Sequence, residues 1–215
     1  MPVDLRLLAI LDPAVLDARD PVDAARAAEA GGATALQLRM KSAPAGALFS
    51  LTRKLVAALR IPVFVNDRAD VALAAGAHGV HLGQDDVPAG PLRPLVPAGF
   101  TIGLSVGSPD EAAVALRSAP DYWSIGPLYR TASKADAGVP LEPAGFATLA
   151  RRAPSGVPVI AIGGIDAGNA AAVIQAGAAG IAVISAVFAA ADIAAATRAM
   201  RRAVDAAFGS RRAPS

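Results

Sequence analysis

The chain contains no cysteine among its 215 residues. This absence excludes a disulfide-stabilised scaffold and any metal site built from thiolates. It also suits the reducing cytoplasm, so we expect a cytoplasmic location. Aromatic residues are scarce as well, at 4% of the chain. A nucleic-acid-binding protein needs exposed aromatics interleaved with clustered Lys and Arg, so the composition argues against a nucleic-acid partner.

Charged residues are scarce as well. Only 18% of the residues are charged, and the formal net charge is +2 despite an isoelectric point of 9.4. The isoelectric point is high because two His and no Cys leave little buffering near neutral pH. Arginine pairs occur at 151–152, 201–202 and 211–212, on predicted helices or in the tail. These arginine pairs are better explained as solvent-exposed helix faces than as a binding surface for nucleic acid or another polyanion.

Long hydrophobic segments of the membrane-spanning kind are also missing. The most apolar stretch, 176–191, consists mostly of Ala and Gly and is followed at once by Asp192. The N-terminal segment MPVDLRLLAILD lacks the basic region and the cleavage site of a secretory signal. With 54% hydrophobic residues, the chain therefore reads as a well-packed globular protein without a membrane partner.

Eight short apolar segments alternate with helical patterns along the chain. The predicted strands are 5–11, 35–40, 62–67, 79–83, 101–106, 121–126, 158–163 and 180–185. The predicted helices are 21–30, 45–60, 69–75, a weak one near 91–96, 109–118, 144–153, 167–176 and 189–208. Strands that are continuously apolar and alternate with helices indicate a parallel sheet covered on both faces.

A short Ala-Gly motif precedes three of these strands, at 30–33, 75–79 and 176–180. Glycine after a helix adopts the left-handed conformation that ends the helix, so the motif indicates a repeated strand–helix unit. Eight such units predict a single-domain (β/α)8 TIM barrel over residues 1–208, with 209–215 as a disordered tail. A doubly wound sheet is the alternative, but no GxGxxG follows the first strand.

Cationic side chains follow the second predicted strand. Gln37, Arg39 and Lys41 are spaced two residues apart, so in an extended strand all three face the same way. Two cations and an amide on the inner face of a barrel predict an anion clamp, because filling the interior with charge is unfavourable. Alternatively, Lys41 already lies in the loop and Arg39 only pairs with Asp67.

Carboxylates follow the third and fourth predicted strands. Parallel neighbours end at the same edge, so Asp67 and Asp86 should lie side by side, which is unfavourable without a cation between them. Mg²⁺ suits such a pair, and helix capping is the alternative. Asp85 is expected to cap a helix or to face solvent. His78 and His81 lack the spacing of a metal pair and are expected to pack or form hydrogen bonds.

The segment GLSVG at 103–107 matches the GxSxG nucleophile elbow. A hydrolase triad would then need an acid and a His later in the chain, and both His residues come earlier. The following residues, 108–111, read as a helix capping box with Pro at the first helical position. Ser105 therefore remains a candidate as a hydroxyl donor at a strand end.

The loops after the last three predicted strands carry anion-binding features. The polar loop 126–140 contains Lys134 and two hydroxyl residues, so it could close over phosphates, although an ordinary surface loop is the alternative. Gly163-Gly164 and Ile184-Ser185 end strands seven and eight, where barrels commonly hold a phosphate on backbone N–H groups. Together these features predict a barrel mouth with two anion sites and a metal between them.

The motifs QLRMK, VNDRADVAL, GVHLGQDD, GLSV, IGPLYRTASK, VIAIGG and AVIS, in this order, resemble the thiamine phosphate synthase family. The resemblance extends from about residue 35 to 188 and implies a (β/α)8 barrel. It implies a reaction that joins 4-amino-2-methyl-5-hydroxymethylpyrimidine diphosphate to 4-methyl-5-(2-phosphoethyl)thiazole with Mg²⁺ and releases diphosphate. In the family the pyrimidine is thought to ionise to a cation that the thiazole nitrogen captures.

The resemblance also implies site residues. The pyrimidine diphosphate would be held by Gln37, Arg39, Lys41, Asn66 and Lys134. Asp67 and Asp86 would ligate Mg²⁺. The thiazole phosphate would be held by Thr131, Ser133, Gly164, Ile184 and Ser185. Ser105 and Lys134 would act at the reacting centre. The partners expected are phosphorylated small molecules, and a homo-oligomer is left open.

The chain departs from the family pattern at a few positions. Met40 replaces an acidic residue, Ser133 replaces Thr, and Gly107 stands where many members have His. A thiazole tautomerase paralogue shares the barrel but lacks the QxRxK clamp and has a His where this chain has Pro127. Both differences favour the synthase, and a paralogue that binds or isomerises the thiazole phosphate is the alternative.

Overall fold

The computed structural model describes residues 3–131 and 139–212. Within them, eight parallel strands form a closed barrel in which each strand pairs with its neighbours in the chain and β8 pairs with β1. The strands are β1 Leu7–Leu11, β2 Ala35–Leu38, β3 Val63–Asn66, β4 Gly79–Leu82, β5 Thr101–Val106, β6 Tyr122–Ile125, β7 Val159–Ile162 and β8 Gly180–Val183. The predicted (β/α)8 barrel is confirmed.

Helices surround the barrel. They are α1 Pro21–Gly31, α2 Ala45–Ala58, α3 Ala69–Ala75, α4 Ala89–Leu92, α5 Pro109–Ser118, α6 Glu142–Ala150, α7 Ala170–Gln175, α8 Ser185–Phe188 and α9 Ile193–Arg212. Short 3₁₀ turns occupy Pro13–Val15 and Arg93–Leu95. In the described part of the chain, no helix is both long and apolar enough to cross a membrane.

Local capping chemistry explains where the helices begin and end. The Asp20 carboxylate accepts hydrogen bonds from the backbone of Val22 and Asp23, with Pro at the first position of α1. Gly32 ends that helix at φ 104°, a left-handed conformation that glycine adopts without strain. Ser108 caps α5 through the Glu111 N–H, so the predicted capping role is confirmed.

The barrel interior is packed solid below the carboxyl ends of the strands. Two glycines make room for large side chains there. A Cβ on Gly103 would lie 2.1 Å from Cζ of Tyr122, and a Cβ on Gly79 would lie 2.9 Å from Cδ1 of Phe64. Tyr122 and Phe64 are fully buried in an apolar cluster that also contains Ile160. Because these side chains fill the interior, the open end of the barrel is the one formed by the carboxyl ends of the strands, where the polar residues lie.

The C-terminal helix differs from the prediction at both ends. The predicted helix 189–208 corresponds to α9, which begins later, at Ile193, and continues to Arg212, so residues 209–212 do not belong to a disordered tail. The short helix α8, before residue 189, was not predicted. The helix is extended because Arg211 donates hydrogen bonds to the carbonyls of Ile174 at 3.0 Å and Ala178 at 3.3 Å. Residues 213–215 lie outside the described part.

Candidate active site

A layer of polar side chains lies at the carboxyl end of the barrel. Strand register pairs Asn66 with His81 and pairs Ser105 with Ser124. Gln37 donates a hydrogen bond from Nε2 to Oδ1 of Asn66 at 2.7 Å, and it is almost completely buried. Parallel pairing thus brings together side chains that are far apart in the chain.

Arg39 does have a carboxylate partner, but it is Asp12 and not the Asp67 of the alternative interpretation. The Arg39 guanidinium donates to Oδ2 of Asp12 at 2.5 Å, and the two side chains are 11% and 16% exposed. Asp12 also accepts from the backbone N–H of Ala14. Sequence reasoning missed Asp12, although it directly follows β1 and the strand-end rule that found Asp67 applies equally to it.

The clamp is not a continuous strand face. β2 ends at Leu38, so Arg39 and Lys41 belong to the loop after it, as the alternative interpretation had it for Lys41. Lys41 nevertheless lines the cavity at the barrel mouth. Its charge, with that of Arg39, opposes the rise in the pKa of Asp67. The two cations therefore act electrostatically on the Asp67 carboxylate.

Asp67 and Asp86 lie together as the strand ends predict, and their side chains share a hydrogen bond. Burial, and then the charge and hydrogen bond of Asp86, raise the pKa of Asp67 to about 6. Asp86 also accepts from the backbone N–H of Gly83 at 2.6 Å. The capping alternative is wrong for both, because α3 begins after Arg68 and α4 after Pro88 without a side-chain cap. Asp85 is exposed.

A carboxylate pair of this kind fits Mg²⁺. The described residues hold no group of three or more His, Cys, Asp or Glu side chains that would suit a metal held by the protein alone. Mg²⁺ commonly takes one or two carboxylates and completes its shell with water and substrate phosphates. Burial and then the neighbouring Asp86 raise the pKa of Asp67, and a cation bound between the two carboxylates would offset both effects.

A cavity of about 650 Å³ opens at the same end of the barrel. Of the candidate residues in the described part of the chain, those that line it are Lys41, Ser105, Thr131, Gly164, Ile184 and Ser185. Gln37, Arg39, Asn66, Asp67 and Asp86 are not among its lining residues. Lys41 connects the two groups, since it lines the cavity and acts on Asp67. Ser133 and Lys134 lie outside the described residues.

The glycines after β7 let two loops approach closely. Gly164 has φ 65°, and a Cβ on it would lie 2.5 Å from the Arg130 carbonyl oxygen. Its own carbonyl accepts from Nδ2 of Asn169 at 2.9 Å. Thr131, next to Arg130, lines the cavity from the facing loop. This close approach brings backbone and hydroxyl groups of two loops to one wall of the cavity.

Ser105 has a partner that chain order did not predict. Its Oγ lies 3.0 Å from Nε2 of His81, and Nδ1 of His81 lies 2.9 Å from the hydroxyl of Tyr122. The hydrogen-bonding role expected of His81 is confirmed. The neighbour of His81 is a buried phenol, where the triad of a GxSxG hydrolase has a carboxylate.

Fold and site together define a class of protein: a barrel enzyme with cations, paired carboxylates and a polar cavity at the carboxyl ends of its strands, as in barrels that act on phosphorylated small molecules. The family model described as thiamine monophosphate synthase matches residues 7–187. The chain therefore belongs to the thiamine monophosphate synthase family, as its motifs predict.

Individual relatives agree with this assignment. The chain is 45% identical over 194 residues to the thiamine-phosphate synthase of Roseiflexus castenholzii, covering 89% of this chain and 84% of the relative. It is 45% identical over 205 residues to that of Methanoculleus marisnigri, covering 94% and 96%. The structure of thiamine phosphate pyrophosphorylase from Pyrococcus furiosus superposes with a TM-score of 0.87 at 37% identity, covering 97% of this chain and 99% of the other.

Proposed function

We propose that this protein joins 4-amino-2-methyl-5-hydroxymethylpyrimidine diphosphate to 4-methyl-5-(2-phosphoethyl)thiazole, forming thiamine phosphate and releasing diphosphate, with Mg²⁺ as cofactor. The observation that carries the proposal is the Asp67–Asp86 pair, in which Arg39 and Lys41 act electrostatically on Asp67, while Lys41 also lines the cavity of about 650 Å³. Mg²⁺ held by these carboxylates, together with the two cations, would neutralise the negative charge of a diphosphate.

The pyrimidine diphosphate would bind at the second and third strand ends. Asp12 holds Arg39 in one orientation, and Lys41 extends from the loop to the cavity. Asn66 is held by Gln37, so its amide is oriented before substrate arrives. These groups, with Lys134, would bind the leaving diphosphate, whose charge grows as its bond to the pyrimidine breaks.

Mg²⁺ would be held by Asp67 and Asp86, and it would supply further charge neutralisation for the diphosphate. Thr131, Ser133, Gly164, Ile184 and Ser185 would hold the thiazole phosphate on hydroxyl and backbone groups at the opposite wall.

The reaction depends more on the positioning of its two substrates than on a nucleophile from the protein. If the pyrimidine ionises before capture, the chain must hold the thiazole nitrogen against the developing cation and keep water away. Ser105 lines the cavity. With Lys134, it would act at the reacting centre.

The test is an assay of purified protein with both substrates and Mg²⁺, in which thiamine phosphate is quantified. Product should require the metal, and Lys41→Ala should lower kcat/KM about 100-fold or more, because a charge on the leaving group is lost. Lys54→Ala is the matched control, since Lys54 is exposed on α2. No product from folded wild-type protein would refute the proposal, and binding of the thiazole phosphate alone would then favour the tautomerase-type paralogue.

Two further expectations stay predictions. The cytoplasmic location would be checked by cell fractionation, and a homo-oligomer by light scattering coupled to size-exclusion chromatography.

A further inference from the structure

Three side chains form a hydrogen-bonded chain from the barrel core to the cavity. The Tyr122 hydroxyl contacts Nδ1 of His81 at 2.9 Å, and Nε2 of His81 contacts Oγ of Ser105 at 3.0 Å. Tyr122 is completely buried, His81 is 7% exposed and Ser105 lines the cavity. The rings of His81 and Tyr122 stack at 5.5 Å with an interplanar angle of 26°. The imidazole is therefore held in both position and orientation.

The direction of the hydrogen bonds follows from the buried phenol. Burial, and then the charge of Asp121, raise the pKa of Tyr122 far above its ordinary value, so the phenol keeps its proton. In the described part of the chain its hydrogen-bonding partner is His81. A buried hydroxyl donates wherever it can, so Tyr122 donates to Nδ1 of the imidazole.

An imidazole that accepts at Nδ1 carries its proton on Nε2. The Nε2–H of His81 then donates to Oγ of Ser105. Because that lone pair of Ser105 is occupied, its own hydroxyl hydrogen points away from His81 and is available to an acceptor in the cavity that Ser105 lines. In this tautomer Nε2 cannot remove a proton from Ser105, so the GLSVG segment does not form a nucleophile elbow.

We propose that His81 and Tyr122 are positioning residues that fix the tautomer of the imidazole and thereby hold Ser105 as a hydrogen-bond donor toward an acceptor atom of the bound substrate. The role in turnover rests on the proposed function, whereas the direction of the hydrogen bonds does not.

Nitrogen NMR tests the direction without any substrate. The chain has two His, so ¹⁵N-labelled imidazoles give two sets of signals, and a spectrum of His81→Gln identifies those of His78. Wild-type His81 should show a protonated Nε2 and an unprotonated Nδ1. Tyr122→Phe should shift the signals toward a mixture of both tautomers, because the donor to Nδ1 is lost. A protonated Nδ1 in the wild type, or an unchanged tautomer in Tyr122→Phe, overturns the proposal.

A double-mutant cycle tests the coupling to Ser105. Tyr122→Phe should lower kcat about tenfold with little change in either KM, the loss expected for one oriented hydrogen bond. In a Ser105→Ala background the same change should lower kcat less than about twofold, because the group that it positions is gone. Equal losses in both backgrounds would mean that Tyr122 acts independently of Ser105 and would overturn the proposal.

Two further variants separate positioning from packing. His81→Gln keeps an amide donor near the Nε2 position and should retain more activity than His81→Leu, which has none. Phe64→Leu is the packing control, because Phe64 contacts Tyr122 with ring centroids 6.3 Å apart and takes no part in the hydrogen bonds. It should lower stability and leave the His81 tautomer unchanged. If wild-type protein forms no thiamine phosphate, the proposed function fails, and the NMR comparison still decides the hydrogen-bond direction.

Discussion

At the scale of single residues, charges at the barrel mouth are held in unfavourable surroundings that a ligand can relieve. Asp67 adopts φ 66°, a left-handed conformation that Asp and Asn tolerate better than most residues. Its backbone N–H donates to the His81 carbonyl at 2.8 Å, which ties the residue to the neighbouring strand. The carboxylate is thus kept beside Asp86 by the backbone, even though the two negative charges repel each other.

Asp67→Asn should stabilise the metal-free protein at alkaline pH. Because the pKa of Asp67 is raised to about 6 in the folded state, ionisation destabilises that state increasingly as the pH rises toward 6, and fully above it. A shift of this size corresponds to about 3 kcal/mol, which solvent screening of the half-buried group reduces to about 1 kcal/mol. Urea denaturation at pH 8 should show this gain for the variant.

Two conditions check the cause of that gain. The difference from wild type should vanish as the pH is lowered to about 4, where both proteins are uncharged at this position. Adding Mg²⁺ at pH 8 should stabilise the wild type and leave the variant unchanged. A gain for Asp67→Asn that is the same at every pH would contradict the electrostatic explanation.

Asp12→Asn should weaken binding of the pyrimidine diphosphate. The change removes the charge that orients Arg39 in a largely buried pair, so the guanidinium loses its fixed direction. We expect kcat/KM to fall about tenfold, mainly through KM for that substrate, and the free energy of unfolding to fall by about 1–3 kcal/mol. Asp23→Asn is the control, because Asp23 is 78% exposed. An unchanged KM would show that Asp12 does not position Arg39.

At the scale of elements, the strands of the barrel depend on glycines where large side chains cross the interior. Gly103 in β5 faces Tyr122 of β6, and Gly79 in β4 faces Phe64 of β3. Without these glycines the aromatic rings could not occupy the interior under the polar layer. The site is therefore supported by strand packing as well as by the loops.

Gly103→Ala should destabilise the barrel strongly. The added Cβ would lie 2.1 Å from Cζ of Tyr122, so a ring held on all sides would have to move. Overpacking of this kind lowers the free energy of unfolding by about 1–3 kcal/mol. Gly46→Ala is the control, since nothing lies within 4 Å of its added Cβ and alanine favours helix α2. Thermal denaturation of both variants would decide, and equal melting temperatures would contradict the packing argument.

At the scale of the whole molecule, α9 joins the beginning of the barrel to its end. It packs against α1 and α7, and Thr197 lies so close to Gly31 that a Cβ there would be 2.5 Å from the Thr197 Cβ. Arg201 donates to the Gly32 carbonyl at 3.2 Å, on the side of α1. Arg211 holds the other side through the carbonyls at the end of α7. The last helix thus connects the first and the last strand–helix units of the barrel.

Arg211→Ala should lower the free energy of unfolding by about 1 kcal/mol, because two carbonyls lose a charged donor and must find water. Turnover should be unchanged, since α9 takes no part in the lining of the cavity. Arg202→Ala provides the comparison, as Arg202 is exposed on the same helix. Equal unfolding curves for the two variants would show that the end of α9 does not hold the barrel.

Much of this arrangement could be predicted from the chain alone. The glycine-capped repeat and the apolar strands predict the barrel, since a closed parallel sheet is the natural way to bury eight such units. The meeting of Asp67 and Asp86 follows from the same rule. The partner of Arg39 could not be predicted, because several carboxylates follow strands and only the closed barrel brings Asp12 to Arg39.

The sequence by itself determined the fold class, the family and the edge at which the chemistry collects, because strand periodicity, glycine caps and strand-end residues are local properties of the chain. Only the tertiary structure decided which side chains touch. It placed His81 between Tyr122 and Ser105 and ended β2 before Arg39 and Lys41. Such contacts depend on the stagger of neighbouring strands and on the space left by glycines opposite them, which spacing along the chain does not record.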